Sequence, residues 1–185
     1  MLPTGIAELR LWQEPADDTV HLFGDASGQP AHLGAVLLVD KRVFWTHADP
    51  PQEVLDKFKR RSDNQIMGLE LLAITLGLCS FRKVLAGRQI VIHCDVTGAE
   101  VAVRKGSARA ADHAQLVHEQ WLFAVMERLR IYVKRVNTAV NIADLPSRKD
   151  FKLLSFIKAQ EVEPVFEKAF LDESVWDVLN ERWAL

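Results

Sequence analysis

The stretch TVHLFGDASGQPAHLGAVLLVDKRVFWTH, residues 19–47, decides the fold. It contains three runs rich in β-branched, aromatic and other apolar residues: TVHLFGD (19–25), LGAVLLVD (33–40) and RVFWTH (42–47). The first is followed by the turn-like ASGQP, and only Asp40 and Lys41 separate the second from the third. A two-residue connection between such runs predicts a hairpin, so the stretch reads as three antiparallel strands.

Upstream, residues 1–18 form a lead-in with Pro3, Gly5, Pro15 and the acidic pair Asp17 and Asp18. Downstream, residues 48–63 are a polar connection whose run Lys57, Lys59, Arg60, Arg61 reads as a solvated surface. NQIMGLELLAITLGLCSFRKVL (64–85) then predicts a long helix, capped by Asp63 or Asn64. QIVIHCD (89–95) is nearly all apolar, as in a strand covered on both faces. Thr97 and Glu100 have capping-box spacing and open a short helix that ends near Lys105. After the basic loop RKGSAR, Asp112 with Gln115 caps a helix over 113–129, and IYVKRVN (131–137) is a fifth strand. The loop TAVNIADLPSR leads to a helix near 149–159, and 173–185 predicts a last one. Strands joined through helices run parallel and those joined by tight turns antiparallel, so the chain is α/β, with a mixed five-stranded sheet and helices on its faces.

Composition narrows the function. With 185 residues the chain buries a full core, and 23 basic against 25 acidic residues exclude a strongly basic nucleic-acid coat but not local basic contacts. There is no apolar run of membrane-spanning length and no signal-peptide pattern, so no membrane association and an intracellular location, cytoplasm or nucleus, are expected. Cys79 and Cys94 sit in apolar stretches without a CxxC or Cys/His cluster and read as two buried thiols. Histidine spacing supports no metal helix: His113 and His118 are five apart, and His93 alternates with apolar residues.

Four carboxylates stand where carboxylates are costly. Asp25 ends the first strand in FGDAS and Asp95 the fourth in VIHCD, both at the carboxyl edge where open α/β sheets build their sites. Asp144 lies in the loop after the fifth strand. Glu70 is the one charged residue between Asp63 and Arg82, with Ile66, Met67, Ala73 and Ile74 as its helical neighbours. Taken separately, the three aspartates cap turns or a helix and Glu70 pairs with a core arginine. Taken together, they converge on divalent metal, because hard cations relieve the repulsion among gathered carboxylates. Two such ions about 4 Å apart suit phosphodiester cleavage.

These residues, in this order, resemble the ribonuclease H domains of reverse-transcribing retroelements. The resemblance rests on FGDASG with Asp25, GAVLLV, IMGLELLAITLGL with Glu70, IVIHCDVTGAEVAVRKG with Asp95 and RVNTAVNIADLPSR with Asp144. It spans about residues 19–150. It implies a sheet of order 3-2-1-4-5 and hydrolysis of the RNA strand of RNA–DNA hybrids with two Mg²⁺, or Mn²⁺ as substitute. Asp25 would bridge both ions, Glu70 and Asp95 would complete one site, and Asp144 the other. A reverse-transcriptase polymerase domain in the same polyprotein is the implied partner beside the hybrid. The chain departs from the family's pattern twice. No His stands between Glu119 and Asp144, which implies slower turnover, and Val96 replaces a small polar residue after Asp95.

Hybrid binding needs phosphate and 2′-hydroxyl contacts. Ser27, Gly28 and Gln29 are candidates for the RNA strand, and Arg104, Lys105, Ser107 and Arg109 for a DNA-strand phosphate. Asn141, Ser147 and Arg148 flank Asp144, with Arg148 aimed at the scissile phosphate or paired with Asp150. The expected domains are a lead-in (1–18), a ribonuclease H-like domain (19–160) and a helical extension (161–185). The apolar positions Phe151, Leu154, Phe156, Ile157, Phe166, Phe170, Leu171, Trp176, Leu179 and Trp183 would let residues 151–185 dock a partner, but the tail is expected to pack back on its own sheet. Two competing functions remain: a nuclease of the same fold acting on branched or other DNA, and a non-catalytic scaffold with a docking tail.

Overall fold

The computed structural model describes residues 19–58 and 65–166. The lead-in, the run Lys59–Arg61, the cap at Asp63 or Asn64 and the helix over 173–185 lie outside the described residues. The three opening strands are β1 (Val20–Gly28), β2 (Ala31–Val39) and β3 (Arg42–Ala48), antiparallel in sequence. Asp40 and Lys41 both adopt the left-handed region (φ 48° and 62°), as the mirror-image turn of a two-residue hairpin requires. Opposite Asp25 stands Gly34, and opposite Gly34 stands His47.

The polar connection holds a short helix, α1 (Gln52–Lys57), pinned by the buried side chains of Val54 and Phe58. The long helix is shorter than its apolar pattern: α2 (Ile66–Ser80) stops at Phe81, and α3 (Arg82–Leu85) is a separate turn. β4 (Gln89–Cys94) pairs parallel with β1 and with β5 (Arg130–Arg135). Between β4 and β5 lie α4 (Thr97–Lys105) and α5 (Ala111–Met126). After β5 come a 3₁₀ turn (Thr138–Val140), α6 (Asp144–Ser147), α7 (Lys152–Phe156) and β6 (Gln160–Glu161).

Among the described residues the sheet has the order β5-β4-β1-β2-β3-β6. The expected 3-2-1-4-5 core is present, and a sixth strand is added at the β3 edge. That strand carries no apolar alternation, because Gln160 and Glu161 are both exposed. It is held by backbone pairing to Phe44 and Trp45, continued by Val162 N–H donating to Trp45 O at 2.8 Å. The two expected side-chain caps are also corrected. Val96 and Ala110 occupy the N-cap positions, so Thr97 is the first helical residue of α4, and Asp112 sits in the first turn of α5, where its charge suits the helix dipole.

Alternation along the strands separates two cores. On one face Val20, Leu22, Leu33, Ala35 and Leu37 meet α2, whose residues from Gly68 to Cys79 are all buried. Gly77 lets α2 approach β1, since a Cβ there would stand 2.7 Å from Leu22 Cδ1. Gln120 of α5 is fully buried and donates to Leu71 O at 2.7 Å and Thr75 Oγ1 at 3.1 Å, tying the second layer of helix to the first. On the other face a much smaller cluster of Val36, Trp45, Ala143 and Leu154 seats α6 and α7. Phe151 packs on Trp45 there, with ring centroids 4.8 Å apart, while Phe156 points outward at 83% exposure. Trp121 donates to Val103 O at 2.9 Å, and His93 stacks on Phe23 and bonds His21, so these read as structural. Cys79 and Cys94 are buried and not joined in a disulfide, and burial pushes the Cys94 thiol up to about 12. No helix among the described residues is long and apolar enough to cross a membrane.

Candidate metal centre

Parallel pairing of β1 and β4 brings their carboxyl ends to one edge of the sheet. Asp25 lies near the end of β1 and Asp95 directly follows the last residue of β4. Glu70 stands in the second turn of α2 and reaches the same edge, where its Oε1 accepts the Ala26 N–H at 3.2 Å. Glu70 thus bonds the backbone of the strand beneath it rather than a core arginine. One ligand oxygen from each of Asp25, Glu70 and Asp95 lies within 4.8 Å of the others.

This crowd is dry. Asp25 is 5% exposed and Glu70 2%. Burial, reinforced by the charges of Asp25 and Asp95, pushes the Glu70 carboxyl up to about 9. Burial also pushes Asp25 up to about 6, against the pull of its Ser147 hydrogen bond. Glu70 Oε2 and Asp95 Oδ1 are buried with no hydrogen-bond partner. Gathered carboxylates with orphaned oxygens are costly unless a hard cation accepts them, so the donor set fits a divalent ion with oxygen ligands.

Asp144 comes to the same edge but is not one of the three convergent side chains. It opens α6, is 30% exposed and accepts Arg148 Nε at 2.6 Å. Its charge nevertheless raises both Asp25 and Glu70. Arg148 therefore pairs with Asp144 rather than with Asp150.

Two flanking residues lie deeper than their sequence suggests. Asn141 and Ser147 are 4% and 1% exposed. Asn141 Nδ2 donates to Gly24 O at 3.1 Å and to Asp25 Oδ1 at 3.3 Å, and the Ser147 hydroxyl donates to Asp25 Oδ2. Gly34 makes this possible: a Cβ on it would lie 2.4 Å from Ser147 N and 2.8 Å from Ala143 O. The glycine inside the apolar strand LGAVLLV was the available signal for a close backbone approach.

The other candidate contacts spread along this edge. Ser27 spends its hydroxyl on Pro30 O at 3.0 Å within the β1–β2 turn, beside half-buried Gly28 and exposed Gln29. Lys105, Ser107 and Arg109 line an open cavity of about 660 Å³ together with Met67, Thr97 and His113. Arg104 does not line it and pairs with Glu100 at 3.3 Å.

No family model and no curated protein sequence matches the chain. Solved structures do. The chain is similar to RNase H1 from the halophilic archaeon Halobacterium salinarum NRC-1, at 15% identity and a TM-score of 0.51, covering 72% of this chain and 97% of that one. It is also similar to the N-terminal RNase H domain of a Mycobacterium tuberculosis protein, solved as a fusion with maltose-binding protein. There the identity is 16% and the TM-score 0.51, covering 77% of this chain and all of that one. The architecture of the described residues is the ribonuclease H fold, with three acidic side chains gathered where its two parallel central strands end.

Proposed function

We propose that the protein is a divalent-metal-dependent endonuclease that hydrolyses the RNA strand of RNA–DNA hybrids. The observation that carries this reading is the convergence of Asp25, Glu70 and Asp95 within 4.8 Å, two of them with orphaned oxygens, on a ribonuclease H fold. Asp25, Glu70, Asp95 and Asp144 would hold two Mg²⁺, or Mn²⁺ in their place. When bound, such ions supply an activated water and neutralise charge building on the scissile phosphate.

The chain's own residues set the rest. Asp25 faces the other two carboxylates in a site from which water is largely excluded. Asp144 would join the site from the small core on the far face of the sheet, with Arg148 balancing its charge. Lys105, Ser107 and Arg109 offer a cationic wall for the DNA-strand phosphate, and the Ser27–Gln29 turn a contact for the RNA strand. The stretch NIADLPSR supports a retroelement origin, with a polymerase domain in the same polyprotein and action in the cytoplasm or nucleus where hybrids form.

The test is Mg²⁺-dependent cleavage of an end-labelled RNA–DNA hybrid, beside double-stranded RNA and branched DNA. Cleavage of the hybrid's RNA strand alone, leaving 5′-phosphate and 3′-hydroxyl ends, is expected. Preference for branched DNA would move the same site to a resolvase-like activity. No cleavage of any substrate with Mg²⁺ or Mn²⁺, by folded protein, would leave the scaffold reading.

A further inference from the structure

We infer that Ser147 and Asn141 are positioning residues for Asp25, which fix how its carboxylate is offered to cations, and are not contacts to nucleic acid. The inference rests on the metal-site reading above. Each Asp25 oxygen receives one donor from the segment after β5: Oδ1 from Asn141 Nδ2, Oδ2 from the Ser147 hydroxyl. A carboxylate offers about two lone-pair sites per oxygen. One donor on each leaves one site free on each for a cation. A carboxylate without such donors rotates among several presentations, of which few would serve a cation held with Glu70 and Asp95.

Neither residue has a proton left to donate to a substrate oxygen. One Nδ2 proton of Asn141 goes to Gly24 O and the other to Asp25, while its Oδ1 accepts Ala143 N–H at 3.3 Å. Both amide protons and one of the two oxygen lone pairs are therefore used inside the fold. The single Ser147 proton is shared between Asp25 Oδ2 and Asp144 O, the latter at 3.1 Å, and the residue is 1% exposed. The segment that carries them rests against bare Gly34 backbone, so the two donors are set by main-chain contact rather than by a flexible arm. Hydrogen bonds to metal-ligating carboxylates are worth about 10–100-fold in metal affinity.

Calorimetric titration of the full chain with Mn²⁺ tests this. Ser147→Ala is expected to raise the Mn²⁺ dissociation constant by about 10–100-fold, and Asn141→Ala by about tenfold, with the circular dichroism of the metal-free protein unchanged. Ser147→Cys, somewhat larger and with only a weak thiol donor, should fall between wild type and alanine. It also serves if the alanine variant does not fold. Wild-type Mn²⁺ affinity in both Ser147 variants, with a raised KM for hybrid, would overturn the inference and return the residue to substrate binding. Asp25→Asn separates the two levels. If Asp25→Asn also binds Mn²⁺ like wild type, the metal-site reading itself fails. If it loses Mn²⁺ while the Ser147 variants keep it, the positioning role alone fails.

Discussion

Asp25→Asn is expected to lower Mg²⁺-dependent cleavage of an RNA–DNA hybrid by at least about 10³-fold, the rate equivalent of about 4 kcal/mol of lost transition-state stabilisation. Of the three convergent carboxylates, Asp25 alone has both oxygens held by outside donors, and it faces Glu70 and Asp95 across less than 4.8 Å. An amide in its place offers one weak, uncharged oxygen ligand instead of two anionic ones. The metal-free fold should not suffer. Removing one negative charge from a buried acidic crowd relieves repulsion, so the unfolding temperature in EDTA should stay level or rise. Initial rates beside thermal unfolding measure both. A variant that cleaves within tenfold of wild type would remove Asp25 from the chemistry.

The second large effect is on stability. Without metal, the protein should become less stable as pH rises from 7 to 9. Glu70 is held near 9 in the folded state against an ordinary value of 4.5, so over this range the folded chain keeps a proton that the unfolded chain has lost. Where the native state binds more protons, stability falls as pH rises. The contribution is fully present below pH 4.5 and is lost on passing through about 9. Asp25, held near 6, adds the same trend only below neutrality. His93, held near 4 by burial, acts oppositely between about 4 and 6.5, so the interval from pH 7 to 8 reports Glu70; nearer pH 9 the Cys94 thiol, pushed up to about 12, adds the same trend. Saturating Mg²⁺ should flatten or invert the slope, because cation binding displaces the proton and favours the folded state. Urea midpoints at pH 7, 8 and 9, with EDTA and with Mg²⁺, decide it. A flat profile in EDTA would mean that Glu70 is ionised and partnered in solution.

What the sequence reveals of this molecule follows from the range of the forces involved. The first three strands were legible because alternation and the Asp40–Lys41 connection are local signals, and both turn residues do adopt positive φ. Glu70 was legible because a lone charge in an apolar helix needs a special reason. The break at Phe81 was not, since apolar residues continue through it. Nor was β6, whose two exposed residues exist as a strand only through β3. The basic loop was legible as a group, yet Arg104 turned to Glu100 while its neighbours turned to the cavity. Asn141 and Ser147 were legible as candidates, but their bonding partner in the fold, Asp25, was not. Their bonds to Asp25 span 116 and 122 residues, and nothing near them in the chain announces an acceptor so far away.

The unequal size of the two cores divides the site by durability. Asp25, Glu70 and Asp95 stand on elements locked into the large cluster, whereas Asp144 rides on a segment seated by four buried side chains. Segments with few buried contacts open at lower free energy than the sheet beneath them. Backbone amides from Asp144 to Phe156 should therefore exchange with solvent well before those of β1 and β4. On warming, the protein should fall silent as an enzyme while its sheet is still whole, and recover on cooling, because the part that leaves first is a clasp rather than the frame.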